Sequence, residues 1–419
     1  MTTGTIVVQN PHRKKRNFML LWMGLTLLVG ILAFAGTYFA VGSIGSGNGG
    51  GGSQVIAEKL GDESAQLPTA TGNLPTSLPT LTPRPQISPA PTLTPTSGPT
   101  AIPALMAGTL PPEFEIGGHI KGVFEDPVYE YMRRAGMTWV KLQLRFERGM
   151  NPADEGWKIQ LNNERGFKVL FGVVGEKEDL LVPGYYEEYA AYVAGLAERG
   201  ASGIEVWNEM NLDREWPNGR IDPRMYTDLL KVSYEAIKAA NPQTLVISGA
   251  LAPTGAEGAF GLNAVWNDDR YYNGLAAAGA GQYMDCVGVH YNEGIVSPLA
   301  TSGDPRDPYP TRYLTLQTDR AWKPFNGQVP VCYTELGYLT PEGYGPLSSG
   351  FAWAANVTIK NQAEWLGTAA LINAQSGKVK LMIIWNIDYD AYGEDPLAGY
   401  AIVRADGSCP ACDTLGSLR

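Results

Sequence analysis

From residue 113 to the C-terminus, short apolar runs alternate with longer stretches whose apolar residues recur at helical spacing. Eight runs read as strands: FEIGGHI (114–120), WVKLQLR (139–145), KVLFGVV (168–174), GIEVWNE (203–209), TLVISGA (244–250), DCVGVHY (285–291), PVCYTEL (330–336) and KLMIIWN (380–386). Between them lie amphipathic segments such as PVYEYMRRAG, YYEEYAAYVAGLAERG, DPRMYTDLLKVSYEAIKAANP and NVTIKNQAEWLGTAALINAQ. The third of these has Asp222 before Pro223 as its N-cap and stops at Asn241-Pro242, the signals expected at the two ends of a helix. Strict strand–helix alternation implies a parallel sheet, and eight repeats in about 300 residues predict a closed (β/α)8 barrel, the TIM barrel fold. No glycine fingerprint for a dinucleotide favours the open-sheet alternative.

The N-terminal part has a different pattern. Residues 18–44 carry no charge and exceed the roughly 20 residues that cross a bilayer. The basic run His12-Arg13-Lys14-Lys15-Arg16 precedes them, so the positive-inside rule predicts a cytoplasmic tail over 1–17 and a single-pass signal anchor over 18–44, with everything beyond it outside the cell. The alternative is a signal peptide, cleaved to release a secreted protein, but the apolar run is longer than the usual h-region of roughly 7–15 residues. Residues 45–112 are a Gly/Ser run followed by a Thr/Pro-rich tract. That composition cannot build a core and predicts a disordered linker, largely extended, that reaches on the order of 100 Å.

Composition narrows the function classes. A net charge of -10 argues against nucleic acid as a partner, because phosphate binding needs clustered Lys and Arg. The 10 Trp and 21 Tyr suit a site that stacks on sugar rings as well as an aromatic core. Four cysteines are too few for a disulfide framework in a chain of 419 residues. Cys286 and Cys332, in predicted strands, read as buried apolar fillers rather than catalytic thiols. Cys409 and Cys412 form a C-x-x-C pair that suits a local disulfide, half of a metal site or two free thiols; the lack of a second such pair argues against zinc.

Function in this fold sits at the C-terminal strand ends. Strand four ends in Val206-Trp207-Asn208-Glu209, strand six in Val289-His290-Tyr291-Asn292, strand seven in Tyr333-Thr334-Glu335 and strand eight in Ile384-Trp385-Asn386. Two glutamates thus face the mouth from strands four and seven. One carboxylic acid to protonate a leaving oxygen and one carboxylate to attack the anomeric carbon are what glycosidic cleavage with retention requires, with carboxyls roughly 5–5.5 Å apart. Asn208, His290 and Tyr291 are placed to supply hydrogen bonds that separate the two pKa values. Strand alternation puts Glu205 deeper on the same face as Glu209, where a carboxylate needs an ion-pair partner.

The segments EVWNEMN after strand four and VCYTELGY after strand seven resemble the signature of the clan A glycoside hydrolases, retaining enzymes that include cellulase-like and xylosidase-like members. The resemblance spans residues 113–419. It implies that Glu209 is the acid/base, Glu335 the nucleophile and Asn208 the residue that binds the sugar 2-hydroxyl. It further implies substrate contacts from His290 and Tyr291 and an aromatic platform from Trp385. Where cellulase-like members carry an arginine on strand two, this chain has Lys141, with Arg145 further along the same face; Met210 replaces the commoner proline. Loops 211–221, with Trp216, 292–313 and 388–400, with several tyrosines, are candidate walls of the cleft. The expectation is a membrane-anchored, extracytoplasmic retaining glycosidase acting on a β-linked oligosaccharide or polysaccharide, needing no metal or organic cofactor. The alternative is a barrel that binds carbohydrate without turnover.

Overall fold

The computed structural model describes residues 108–122 and 126–419. Eight strands run in chain order: β1 (Glu115–His119), β2 (Trp139–Phe146), β3 (Lys168–Gly175), β4 (Gly203–Val206), β5 (Leu245–Ser248), β6 (Val287–Tyr291), β7 (Val331–Leu336) and β8 (Val379–Ile384). Each is followed by a helix: α1 (Asp126–Arg134), α2 (Gly156–Glu164), α3 (Tyr185–Glu198), α4 (Pro223–Ala240), α5 (Asp268–Ala277), α6 (Leu314–Trp322), α7 (Ile359–Ser376) and α8 (Pro410–Gly416). Every strand pair is parallel, in the order β5-β4-β3-β2-β1-β8-β7-β6. The remaining seam, β5 to β6, is joined by parallel bridges Ile247 to Cys286 and Leu251 to Val289. The (β/α)8 barrel is closed there at short range: a Cβ on Gly288 would stand 2.1 Å from the Ser248 carbonyl oxygen, so only glycine lets the two backbones approach.

The two longest helices, α4 and α7, carry side-chain caps, the first of them at the residue its sequence predicts. Asp222 accepts from the Arg224 amide at the start of α4, and Thr358 and Asn361 form a reciprocal capping box on α7. Tyrosines on the helices then fix the strand ends. The Tyr226 hydroxyl donates to the Val206 carbonyl and accepts from the Gly249 amide, and the Tyr189 hydroxyl donates to the Val173 carbonyl. β4 is shorter than its sequence pattern suggests: it stops at Val206, and the Trp-Asn-Glu segment belongs to the following turn.

Inside the barrel, the end away from the mouth is filled by Trp139, Leu170, Leu245, Ile247, Cys286, Cys332, Leu381 and Ile383. Cys286 and Cys332 are not free apolar fillers. They form a disulfide, and neither sulfur reaches solvent. Cys409 and Cys412 form a second disulfide, local to α8, which resolves the alternatives their spacing left open. The predicted tail, anchor and nearly all of the predicted linker lie outside the described residues. Among the described residues, no helix is long and apolar enough to cross a membrane.

Candidate active site

Polar residues take over from the apolar layer as the barrel opens. On β2, Trp139, Lys141 and Gln143 follow one another along the inward face, and Lys141 is fully buried, with Nζ 2.8 Å from Glu205 Oε2 and 3.5 Å from Glu335 Oε1. Glu205 is therefore the deep ion-pair member that strand alternation implied. Its other oxygen accepts from the Thr334 hydroxyl at 2.7 Å, and Lys141 also donates to the Thr334 carbonyl. Good geometry of this kind is what makes a buried carboxylate tolerable.

Thr334 and Glu335 are consecutive yet both turn inward, which a regular strand forbids. The cause is a bulge. Val289 on β6 is opposite Tyr333 but His290 is opposite Glu335, so Thr334 is an extra residue on β7, and the pairing to β8 shifts in the same place. On the other side of the mouth, Glu209 is aimed by two left-handed backbone positions, Trp207 at φ 71° and Glu209 at φ 41°. Such conformations persist in non-glycine residues only where the surroundings over-determine them. Here Trp207 is buried among Tyr189 and Trp216, its indole N–H donates to the Glu215 carbonyl, and the Glu209 amide donates to the Ala250 carbonyl at 2.8 Å.

His290 stands between the two glutamates. Its Nδ1 is 3.1 Å from Glu209 Oε1 and 3.7 Å from Glu335 Oε2. Those two oxygens are therefore at most about 6.8 Å apart, a bound that admits the roughly 5–5.5 Å of double displacement and only the bottom of the roughly 6.5–9.5 Å range of single displacement. Glu209 Oε2 accepts from Arg214, a side chain 68% exposed. Both carboxyls open into a cleft of about 690 Å³ whose walls include His119, Asn208, Trp353, Trp385, Tyr389 and Asp395.

Burial raises the Glu335 carboxyl above its ordinary value, and the His290 and Lys141 charges only partly oppose it. Burial acts on Glu209 in the same direction, but the His290 hydrogen bond and charge, with Arg214, carry that carboxyl below its ordinary value. His290 itself, which burial alone would lower, is raised by the charge of Glu335 and by its hydrogen bond to Glu209. The cluster thus holds two carboxyls pushed in opposite directions, and with nothing bound it is Glu209 rather than Glu335 whose ionised form the surroundings favour.

Comparison with known proteins adds a fold-level likeness. No protein-family model and no curated protein matches the chain. Among solved structures, a GH128 (subgroup II) endo-beta-1,3-glucanase from Sorangium cellulosum is 17% identical, covering 73% of this chain and 98% of its own, with a TM-score of 0.48. An endo-1,4-beta-mannanase from Rhizomucor miehei is 14% identical, over 74% and 98%, with a TM-score of 0.47. A GH5-4 broad specificity endoglucanase from Clostridium longisporum is 12% identical, over 73% and 97%, with a TM-score of 0.48. At these scores the likeness assigns no activity. The barrel assignment itself rests on the strand order and the β5–β6 bridges described above.

The residues singled out in the sequence fall into three groups. Glu209, Glu335, His290 and Lys141 come together around one point, and Asn208 and Trp385 line the same cleft. Arg145 lies on the cleft wall but away from Glu335; its guanidinium is 3.5 Å from Glu215 and the side chain is 57% exposed. Tyr291 is not brought to the cleft: its ring packs on Tyr338 and its hydroxyl donates to the Arg312 carbonyl. Trp216 is no sugar-stacking surface either, being fully buried against Trp207 and Tyr226 with its N–H on the Arg220 carbonyl. Residues that the sequence reading missed include His119, at the end of β1, and Arg214. His119 sits edge-on to Trp385, with Nε2 3.2 Å from the Tyr389 hydroxyl. A polar residue closing the FEIGGHI strand was the available signal for His119; Arg214 stands in a loop with no periodicity to place it.

Proposed function

We propose that this protein is a retaining glycoside hydrolase that cleaves a β-linked oligosaccharide or polysaccharide by double displacement, with Glu335 as nucleophile and Glu209 as acid/base. The observation that carries the reading is the pair of carboxyls from the turn after β4 and from β7, both in contact with one His290 nitrogen at the floor of one cleft. Glu335 attacks the anomeric carbon while Glu209 gives its proton to the leaving oxygen. Water then gives its proton to Glu209 and displaces Glu335, so both groups end as they began. The roles divide in this sense because the counter-ions differ. Lys141 beside Glu335 is fully buried and fixed, which suits a group that must stay ionised, whereas Arg214 beside Glu209 is largely exposed and free to withdraw from a group that must change its protonation. Trp385 on the cleft wall provides an apolar face for a sugar ring, and Asn208 on the same wall brings a side-chain amide for a sugar hydroxyl.

We also propose that the enzyme works outside the cell, tethered by residues 18–44 and held off the membrane by residues 45–112. All four cysteines are in disulfides, which favours an oxidising compartment. Protease treatment of intact cells should release or degrade the barrel; a barrel protected until lysis would overturn this topology.

The test of activity is hydrolysis of aryl β-glycosides and β-linked polysaccharides by the full-length protein beside Glu335→Ala and Glu209→Ala. Both variants should stay folded and lose several orders of magnitude in kcat on unactivated substrates. Azide should restore turnover of activated aryl glycosides in Glu209→Ala, giving a β-glycosyl azide. Unchanged rates in both variants would remove the roles given to Glu335 and Glu209, and a wild type that binds these sugars but turns none of them over would remove the glycosidase reading.

A further inference from the structure

Arg214 poses a chemical problem for the acid/base role proposed above. An acid must carry its proton when the glycosidic oxygen arrives, yet a guanidinium on Glu209 Oε2 stabilises the ionised form. The groups that face Glu209 are His290 from β6, Arg214 and Glu215 from the loop after β4, Glu335 from β7 and Glu293 from the loop after β6, with Glu205 and Lys141 deeper in the barrel. Of the three cationic groups among them, His290 and Lys141 are buried and Arg214 is not. Arg214 is also the one with alternatives within reach: its Nε is 3.8 Å from Glu215 Oε1, and Asp395, across the cleft on the loop after β8, feels its charge. Glu209 Oε2 is the oxygen that Arg214 covers, and Glu209 Oε1 is held by His290. The oxygen left to serve a leaving group is therefore the one the guanidinium occupies.

We propose that Arg214 is a displaceable counter-ion that keeps Glu209 ionised in the free enzyme, and that the sugar on the leaving-group side arms the acid by pushing Arg214 toward Glu215 and Asp395. When the guanidinium withdraws, Glu209 takes a proton from solvent and passes it to the glycosidic oxygen as the C–O bond breaks and the bond to Glu335 forms. Arg214 acts through Glu209 and makes no bond to the reacting carbon. The proposal rests on the acid/base reading of Glu209 and ties protonation to occupancy of the leaving-group subsite.

The experiment compares pH profiles of kcat/KM and kcat for the full-length wild type, Arg214→Gln and Arg214→Lys, using an alkyl or oligosaccharide β-glycoside that needs acid assistance. The alkaline limb of kcat/KM reports Glu209 in the free enzyme and that of kcat reports it in the complex. In the wild type the kcat limb should lie at higher pH than the kcat/KM limb. In Arg214→Gln the kcat/KM limb should rise to meet it, so that its rate at the alkaline shoulder, relative to the plateau, grows several-fold. Arg214→Lys should restore the wild-type separation. Limbs that coincide in the wild type, or a kcat/KM limb that stays put in Arg214→Gln, would overturn the proposal while leaving Glu209 as acid. Azide rescue of Glu209→Ala tests the underlying reading separately; if Glu209→Ala turns over every substrate at the wild-type rate, the acid/base reading fails and the proposal falls with it.

Discussion

Replacing Lys141 by methionine isolates one charge at the centre of the barrel. Lys141 is fully buried and its ammonium is shared by Glu205 at 2.8 Å and Glu335 at 3.5 Å. Its removal leaves Glu205, itself 1% exposed, without a counter-ion. Breaking a buried pair in this way costs about 3–5 kcal/mol. A barrel of roughly 300 residues has an unfolding entropy near 0.65 kcal/mol/K, so the midpoint should fall by about 5–8 °C. The same change removes one of the two cations that oppose the burial of Glu335. Its carboxyl rises further, and because the nucleophile works only when ionised, the acid limb of kcat/KM moves to higher pH. The double variant Lys141→Met/Glu205→Gln separates the two effects. The midpoint should largely recover, since no uncompensated charge remains. The acid limb should return only part way, because Lys141 acts on Glu335 more strongly than Glu205 does. Thermal unfolding by circular dichroism and a pH–rate profile on the activated aryl glycoside suffice. A loss below about 1 kcal/mol in the single variant with an unmoved acid limb would refute the ion-pair account, since both consequences follow from the same buried charge.

Three further outcomes can be checked on the same protein. Cys286→Ala/Cys332→Ala opens a loop with a sequence separation of 46, worth about 4 kcal/mol on the chain-entropy model, so denaturant unfolding should show a loss of that order while the folded wild type resists dithiothreitol; an unchanged midpoint would refute it. Trp216→Ala should cost about 3–5 kcal/mol in stability and leave the KM for a minimal aryl glycoside unchanged at temperatures where the variant is folded; a selective rise in KM would return Trp216 to the sugar site. His119 is held well below its ordinary value by burial and by the charges of Lys141 and His290. The unfolded chain therefore takes up a proton near pH 6.5 that the folded chain refuses, and stability should fall by up to about 1.4 kcal/mol per pH unit below that point. His119→Gln should flatten the loss of midpoint between pH 7 and pH 5, and an identical slope would contradict the assignment.

The alternation of strand and helix and the strand-end glutamates were legible because they depend on periodicity, and the barrel places function at one predictable end of each strand. Glu205 was legible for the same reason. What escaped the sequence depended on departures from periodicity or on segments without it. The inward turn of both Thr334 and Glu335 comes from an extra residue on β7, and Glu209 is aimed by left-handed positions beyond the end of β4. Cys286 and Cys332 sit near the starts of neighbouring strands, but that their side chains meet inside the barrel follows from β6–β7 register, which no single-strand pattern encodes. Trp216 and Tyr291 were drawn toward the cleft by residue type, whereas their rings complete aromatic contacts behind it. Arg214 lies in a loop whose shape comes from tertiary contacts such as the Leu212–Val265 bridge.

The bulge on β7 has a consequence for how this cleft can change. An extra residue lets β7 turn two consecutive side chains into the barrel, Thr334 onto the buried pair and Glu335 toward the mouth. Deleting Thr334 would restore ordinary alternation with Glu335 directly after the helix-facing Tyr333 and still opposite His290, so the glutamate would keep its inward direction while Glu205 and Lys141 lost the hydroxyl and carbonyl they share. Loss of that one codon would therefore spare the direction of the carboxylate at the mouth and strike instead at the pair of charges buried beneath it.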